Sequence, residues 1–450
     1  MTPPPPARAL ERTAALAATG APSSARHPLR AADRGWAPRG GRALAAVAVI
    51  RREWLACAFG GSATFAAVTA LTSFNAPERV WGGVAAVSYA VAAVTAAAMR
   101  RRGVSLAVLL GLAGALAAPL AWMAVTGMAQ PEVGVIVRAA VMLVHRGTPY
   151  ASPAALAAAH SWRAYDPYLP VLIVFGIPRA FGGGLLTDPR VWFGLAFAAS
   201  FWAALRTARV QRPVWWTLVV TASPVVALPL AVGGDDLPVL GLMCLGLALA
   251  GRGSRDQWRW AAAAGLALGL AAAMKATAWP AVAVVAVLLA ARQGWRGVSW
   301  FTAAALGVAL VADGAIVAAH PAAALANTVL YPLGLTKAAS PAASMLPGHL
   351  LAAAAGWGHW TALALMALAG AGVGAWLIAR PPKDFRAAGW RLALGLALLF
   401  LLAPASRVGY FVYPLGLAAW LLLSRWPGPP GEKSVDPVPQ RRRLAVPVHH

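Results

Sequence analysis

Apolar runs of roughly the length of a membrane-spanning helix recur along this chain, and short clusters of arginine separate them. A bilayer core takes about 20 apolar residues as helix, so the pattern predicts an all-α, polytopic transmembrane bundle. Twelve spans are predicted, near residues 54–73, 80–98, 103–126, 190–206, 213–232, 237–250, 260–274, 277–291, 299–318, 359–379, 391–404 and 409–424. The runs beginning at 237, 260, 277 and 391 are the shortest. With 60% hydrophobic and 12% charged residues, a soluble domain of this length is excluded. The net charge of +24 would suit nucleic acid, but no basic stripe interleaved with aromatics occurs. The expected partner of the arginines is the lipid bilayer, with no nucleic acid.

The charges also orient the chain. With a basic N-terminus inside, the clusters at Arg100, Arg206, Arg252, Arg292, Arg380 and Arg425 all fall in the cytoplasm, as the positive-inside bias requires. Residues 168–185 would invert every later loop if they crossed. They are therefore read as a helix lying at the outer interface or dipping in and out, which Pro170, Pro178 and the glycines at 182–184 permit. The outer face then holds a long loop at about 127–189, a turn at 233–238, a turn at Lys275, a second long loop at about 319–358 and a turn at Arg407. Residues 1–52 and 425–450 read as disordered basic cytoplasmic tails, and 53–102 as an N-terminal extension with two spans. Cys57 and Cys244 lie inside apolar runs without metal-ligand or redox spacing, so they are read as apolar fillers.

Only 14 acidic residues occur in the chain, which makes those beside apolar runs informative. Glu132, in MAQPEVGVIVRAAVMLVHRGTPY, follows a predicted span. Apolar surroundings raise a carboxyl's proton affinity and suit a general base; the competing reading pairs Glu132 with Arg138 as an anchor. The polar side of the following stretch would present Arg138, His145 and Arg146. Asp235 and Asp236, in VGGDDLPVLG, would bind a metal, orient an acceptor or cap the next helix. Lys275, alone between apolar runs, needs an anionic partner or must snorkel to the interface. Asp313 lies within an apolar run and is expected to face the bundle interior, while Arg407 and Tyr410 sit at the outer end of the last pair of spans. No phosphate-cradling loop, HExxH or dinucleotide turn is present, so nucleotide chemistry has no support.

The stretches PEVGVIVRAAVMLVHRGTPY, YDPYLPVLIVFGIPRAFGGGLLTDPRVWF and GGDDLPVLGLMCLGLALAGRG running on to GLAAAMK, in this order and spacing, resemble one family. It is that of the polyprenol-phosphate-mannose-dependent mannosyltransferases and related arabinofuranosyltransferases of actinobacteria, glycosyltransferase family 87 of the C-type superfamily. The resemblance covers roughly residues 103–424 and implies a glycosyltransferase-like membrane domain there. It implies inverting transfer of a sugar from a polyprenyl-phosphate donor to a glycan or glycolipid acceptor at the outer face of the plasma membrane. Glu132 falls at the place of the catalytic base, where the family more often has Asp. Asp235 or Asp236 falls at that of the second outer-loop carboxylate, beside a glycine where a polar residue is common. Asp166 is a further acceptor-side candidate. Lys275, Arg138 and Arg407 are the candidates for the donor phosphate, and His145, Tyr150, Tyr168, Asp313 and Tyr410 for lining the cavity. No cofactor is required, although a divalent metal fits the chemistry. The alternative classes are a transporter or lipid-linked sugar flippase, for which no internal half-repeat is found, and a non-catalytic scaffold.

Overall fold

The computed structural model describes residues 39–99, 101–252, 258–338 and 340–424, with side chains from Glu53 onward apart from Arg101 and Arg102. The chain divides into two compact units, Met1–Arg51 and Arg52–His450, and the candidate site lies within the second. Most of the stretch read as an N-terminal tail, and all of that at 425–450, lie outside the described residues. The backbone is helical from Arg39, where alanine-rich RALAAVAV favours helix.

Every predicted run is helical. α1 (Arg39–Thr72), α2 (Ala76–Ala98) and α3 (Gly103–Thr126) are followed by α4 (Pro131–Arg146), the short α5 (Pro153–Ala159) and α6 (Pro170–Phe181). Then come α7 (Pro189–Thr207), α8 (Pro213–Ala222), α9 (Pro224–Val232), α10 (Leu237–Arg252) and α11 (Trp258–Ala272). α12 (Ala276–Ala319), α13 (Pro321–Leu330), α14 (Pro347–Ala354), α15 (Gly358–Ala379), α16 (Phe385–Leu402) and α17 (Val408–Leu423) complete the order. No strand occurs among the described residues; Ala343 and Ser406 form an isolated bridge. Proline opens many of these helices, where its missing N–H costs nothing and its fixed φ already suits the first turn.

Among the described residues six helices are long and apolar enough to cross a membrane, α1 from Glu53, α2, α3, α12, α15 and α16, or seven when the bent pair α8–α9 counts as one span. The count expected from sequence is therefore not reached by length and composition alone. α12 runs for 44 residues through two predicted spans, and its backbone breaks between them at Gly294 (φ 70°, ψ −164°). α16 starts at Phe385, upstream of the predicted 391, because Asp384 accepts from the backbone N–H groups of Arg386 (2.9 Å) and Ala387 (2.8 Å). Arg391 then lies over the ring of Trp376 at 4.4 Å, which lets a cation sit within an apolar helix. Pro170–Phe181 is too short to cross, and Gly176 presses against the Ile136 carbonyl of α4, where a Cβ would come within 2.7 Å.

Two apolar cores hold the unit together. One joins α1–α3 to α8 and α9; the other runs from α4 through α7, α10–α12 and α16 to α17. Between α8 and α9 the axis bends by 65°. The carbonyl of Ala222, freed by that bend, accepts from the hydroxyl of buried Tyr89 at 2.7 Å, as a break inside an apolar core demands. Gly265 and Gly269, one turn apart on α11, let α12 approach so closely that a Cβ on Gly269 would come within 2.8 Å of the Ala305 Cα.

Candidate active site

Glu132 stands in the first turn of α4, directly after Pro131, where the positive end of the helix favours a carboxylate. Its partner is Arg407, ahead of α17, which ion-pairs with Glu132 Oε1 across 275 residues of sequence. The pairing with Arg138 set against the general-base reading does not occur. Glu132 Oε2 has no hydrogen-bond partner. Burial raises the proton affinity of Glu132 above the ordinary carboxylate range, Arg407 opposes that shift, and nearby Asp235 adds to it.

Asp235 and Asp236 occupy the turn between α9 and α10, entered through Gly234 in a left-handed conformation (φ 86°) that favours glycine. Neither side chain caps α10; both turn on Lys275, in the tight connection between α11 and α12. Lys275 Nζ is 2.7 Å from Asp235 Oδ2, an ion pair outside hydrogen-bond alignment, and donates to Asp236 Oδ1. Tyr413 donates its hydroxyl to the same Oδ1 at 2.8 Å, and Thr277 donates to Tyr413 at 3.1 Å. The ammonium also lies over the ring of Tyr168, 5.0 Å from its centroid. Burial alone would loosen the Lys275 proton, but the two aspartates outweigh it and hold that proton well above the ordinary lysine range. Burial raises the proton affinity of Asp236. Lys275 thus has two carboxylates as the anionic partners that a cation between apolar runs needs, and it does not snorkel away from them. Tyr410 belongs to this group, its hydroxyl lying in the field of Lys275, Asp236 and Arg407.

Three carboxylates (Glu132, Asp235, Asp236) therefore face two cations (Lys275, Arg407). Such a group is neutral only when it keeps one proton or takes up a cation. The Arg407 and Glu132 side chains are 26% and 17% exposed, against 10% for Lys275, so access is by way of the Glu132–Arg407 pair.

Behind this group lies a second one. Asp166, 2% exposed, accepts from the Tyr168 amide at 3.0 Å, and its own amide donates to Asn327 Oδ1 at 2.9 Å. Burial lifts its proton affinity to about 8, and Arg138 opposes that rise. Tyr150 donates to the Tyr168 carbonyl at 3.0 Å, and Asp313 is buried within the electrostatic reach of Tyr150. Tyr168 links the groups, its backbone in one and its ring in the other. Tyr165 and Tyr331 stack at 4.5 Å beside them.

His145 is not brought to either group. It is exposed in the last turn of α4, and 13 residues at 1.5 Å each place it about 20 Å from Glu132. The sequence reading missed Tyr413, Thr277, Asn327 and Tyr331. Tyr413 was within reach, since it falls three residues after Tyr410 and shares its helix face. Among the described residues, no group of three or more His, Cys, Asp or Glu side chains is arranged to hold a metal ion.

Compared with known families, the model described as "Glycosyltransferase family 87" matches residues 167–404, more than half of the chain. The match contains Tyr168, Asp235, Asp236, Lys275 and Asp313, and leaves Glu132, Asp166 and Arg407 outside it. No curated protein and no solved structure matches the chain.

Proposed function

The chain belongs to glycosyltransferase family 87 and is a membrane glycosyltransferase, and from that premise we propose that it moves mannose, or alternatively arabinofuranose, from a polyprenyl-phosphate donor to a cell-envelope glycan or glycolipid. Membership sets aside the transporter and scaffold readings. The donor enters from the bilayer and reacts at the outer face of the plasma membrane, with inversion at the anomeric carbon.

The observation that carries this reading is the ion pair of Glu132 with Arg407, partly exposed at the edge of the buried Asp235–Asp236–Lys275 group. In the resting protein each partner neutralises the other. A donor phosphate competes for Arg407, the more accessible cation, and so frees the Glu132 carboxylate. Glu132 takes the proton of the acceptor hydroxyl, the oxygen attacks the anomeric carbon, and the bond from that carbon to the phosphate oxygen breaks. Polyprenyl phosphate leaves with one more negative charge than it carried in the donor, and Arg407 meets that charge as it develops. The proton affinity of Glu132, raised by burial, suits a base that must accept a proton in the transition state. Asp235 and Asp236, held by Lys275, orient the acceptor hydroxyls, with Asp166 behind them.

Twelve crossings with a cytoplasmic N-terminus are part of the proposal. Counting charges puts Glu132, Asp235, Lys275 and Arg407 in four separate outer loops, and these four residues converge on one place in the fold. In a Cys57→Ser background, cysteine at Ala157 should react with an impermeant thiol reagent in intact cells and cysteine at Arg209 should not; the reverse pattern overturns the topology. The reaction itself is tested by incubating purified protein with radiolabelled polyprenyl-phosphate mannose or arabinofuranose and a cell-envelope lipid extract. Label passing into the extract with Glu132 intact, and not with Glu132→Gln, is the expected result.

A further inference from the structure

Asp188 and Arg190, in the LLTDPRVWF stretch, take no part in the chemistry above, yet Arg190 is among the largest fully buried side chains in the protein, at 1% exposure. Asp188 caps α7, accepting the Arg190 backbone N–H at 3.0 Å, and its two oxygens accept from Arg190 Nε (2.9 Å) and Nη2 (2.8 Å). This fork leaves Nη1 aimed away from Asp188. Nη1 donates to two backbone carbonyls, Met128 at 3.1 Å and Ala231 at 2.7 Å. Met128 lies four residues before Glu132, and Ala231 four residues before Asp235. The same two strands of chain touch directly where the Gln130 amide donates to the Val232 carbonyl at 2.7 Å. Gln130 Nε2 in turn donates to Glu78 Oε1 at 2.7 Å, at the start of α2.

We propose that Arg190, oriented by Asp188, is a positioning residue that fixes the separation of Glu132 and Asp235 by tying the loop entering α4 to the last turn of α9. The proposal rests on the reading of Glu132 as the base. A five-donor planar cation suits this task because one head can grip a carboxylate and two carbonyls at once, and a lysine ammonium lacks the fixed fork. A cavity of about 310 Å³ borders the clamp, lined by Gln130, Gly134, Arg179, Asp188 and Arg190 among others. It gives the loop entering α4 room to shift when the guanidinium is removed, so loosening, not collapse, is the expected response.

The test compares Arg190→Lys, Arg190→Met and Glu132→Gln in the purified transferase with polyprenyl-phosphate mannose and a cell-envelope lipid extract, following kcat, donor KM and the pH profile. Misplacing a reacting group by about 1 Å costs on the order of a hundredfold, so kcat should fall by about that factor in Arg190→Met and by less in Arg190→Lys, with donor KM held. The acid limb of the profile should also move to lower pH in both, because Glu132 escapes its burial and the charge of Asp235. A merely structural role would lower the yield of active protein and leave that limb in place. Should Arg190→Met not fold, Arg190→Lys alone decides. Parent kcat and an unmoved acid limb in the folded Lys variant, with Glu132→Gln inactive, overturn the clamp and spare the reading of Glu132. Parent rates in Glu132→Gln overturn that reading and the clamp with it.

Discussion

At the end of the helices where α7 and α10 finish, arginines rest on aromatic rings close to them in sequence: Arg206 over Trp202 at 5.5 Å, Arg252 over Trp260 at 5.4 Å and Arg259 over the same ring at 5.9 Å. Arg292 donates to the Gly251 carbonyl at 3.0 Å, at the negative end of α10. At the opposite end of α10 and α11, the charges find partners far away in sequence: Glu132 with Arg407, and Lys275 with two aspartates 39 and 40 residues before it. Local stacking lets each arginine hold its place at an interface on its own, and such contacts fix orientation. Long-range pairing makes each charge depend on several helices at once, and that dependence lets proton affinities be tuned for chemistry. A charge cluster in a membrane protein is therefore informative about function when its charges pair with opposite charges carried by several different helices and turns.

The difference can be broken by substitution at each end. Glu132→Gln should give the largest effect, lowering transfer by about a hundredfold to ten-thousandfold while folded yield and donor binding persist, as loss of a general base does. Lys275→Met should come next, and in stability: it leaves Asp235 and Asp236 buried together without their cation, which costs about 3–5 kcal/mol by thermal or denaturant melting. Arg407→Met should raise donor KM by about ten- to a hundredfold, the worth of a hydrogen bond to a charged group. It should also move the acid limb of the rate profile to higher pH, because the charge opposing the raised proton affinity of Glu132 is gone.

Asp166→Asn sharpens the comparison through pH. Burial lifts the folded-state affinity of Asp166 from 3.8 to about 8, so the fold binds this proton more tightly than the unfolded chain does. Its contribution is fully present below the ordinary carboxylate range and is lost as pH rises through about 8. Melting of the parent should therefore fall between pH 5 and pH 9 more steeply than melting of Asp166→Asn. At the other end, Arg206→Met should change stability by no more than about 0.5 kcal/mol and leave transfer untouched. A large loss of transfer there would erase the distinction between the two ends.

Helix placement was legible in the residues because apolar runs and arginine clusters are local signals. How many helices are long enough to cross was not, since α10 and α11 are short apolar helices buried by their neighbours, and packing replaces length. Glu132, Asp235, Asp236, Lys275, Arg407, Tyr168 and Tyr410 stood out as polar residues beside apolar ones, and the fold gathers them. Their partners were hidden. The pairing of Lys275 with the aspartates, and of Glu132 with Arg407 in place of Arg138, depends on how turns approach in space, which spacing does not encode. His145 was misjudged for a related reason: sharing a helix face with Arg138 says nothing of lying near Glu132, 13 residues away along a 16-residue helix. Arg190 gave no signal at all, because a buried arginine looks like one more basic residue at the end of an apolar run.

The span of 275 residues between Glu132 and Arg407 has a consequence for how the protein is made. A chain synthesised from its N-terminus inserts Glu132 long before Arg407 leaves the ribosome. Until then the carboxylate has no counter-charge, Asp236 lacks the hydroxyl of Tyr413, and the last wall of the site is missing. Every nascent intermediate therefore lacks these partners, and activity is expected only after insertion of α17. A C-terminal truncation that removes this one helix takes away Arg407's support and Tyr413 together, so it should silence the enzyme as fully as loss of the base, although every carboxylate of the site is still present.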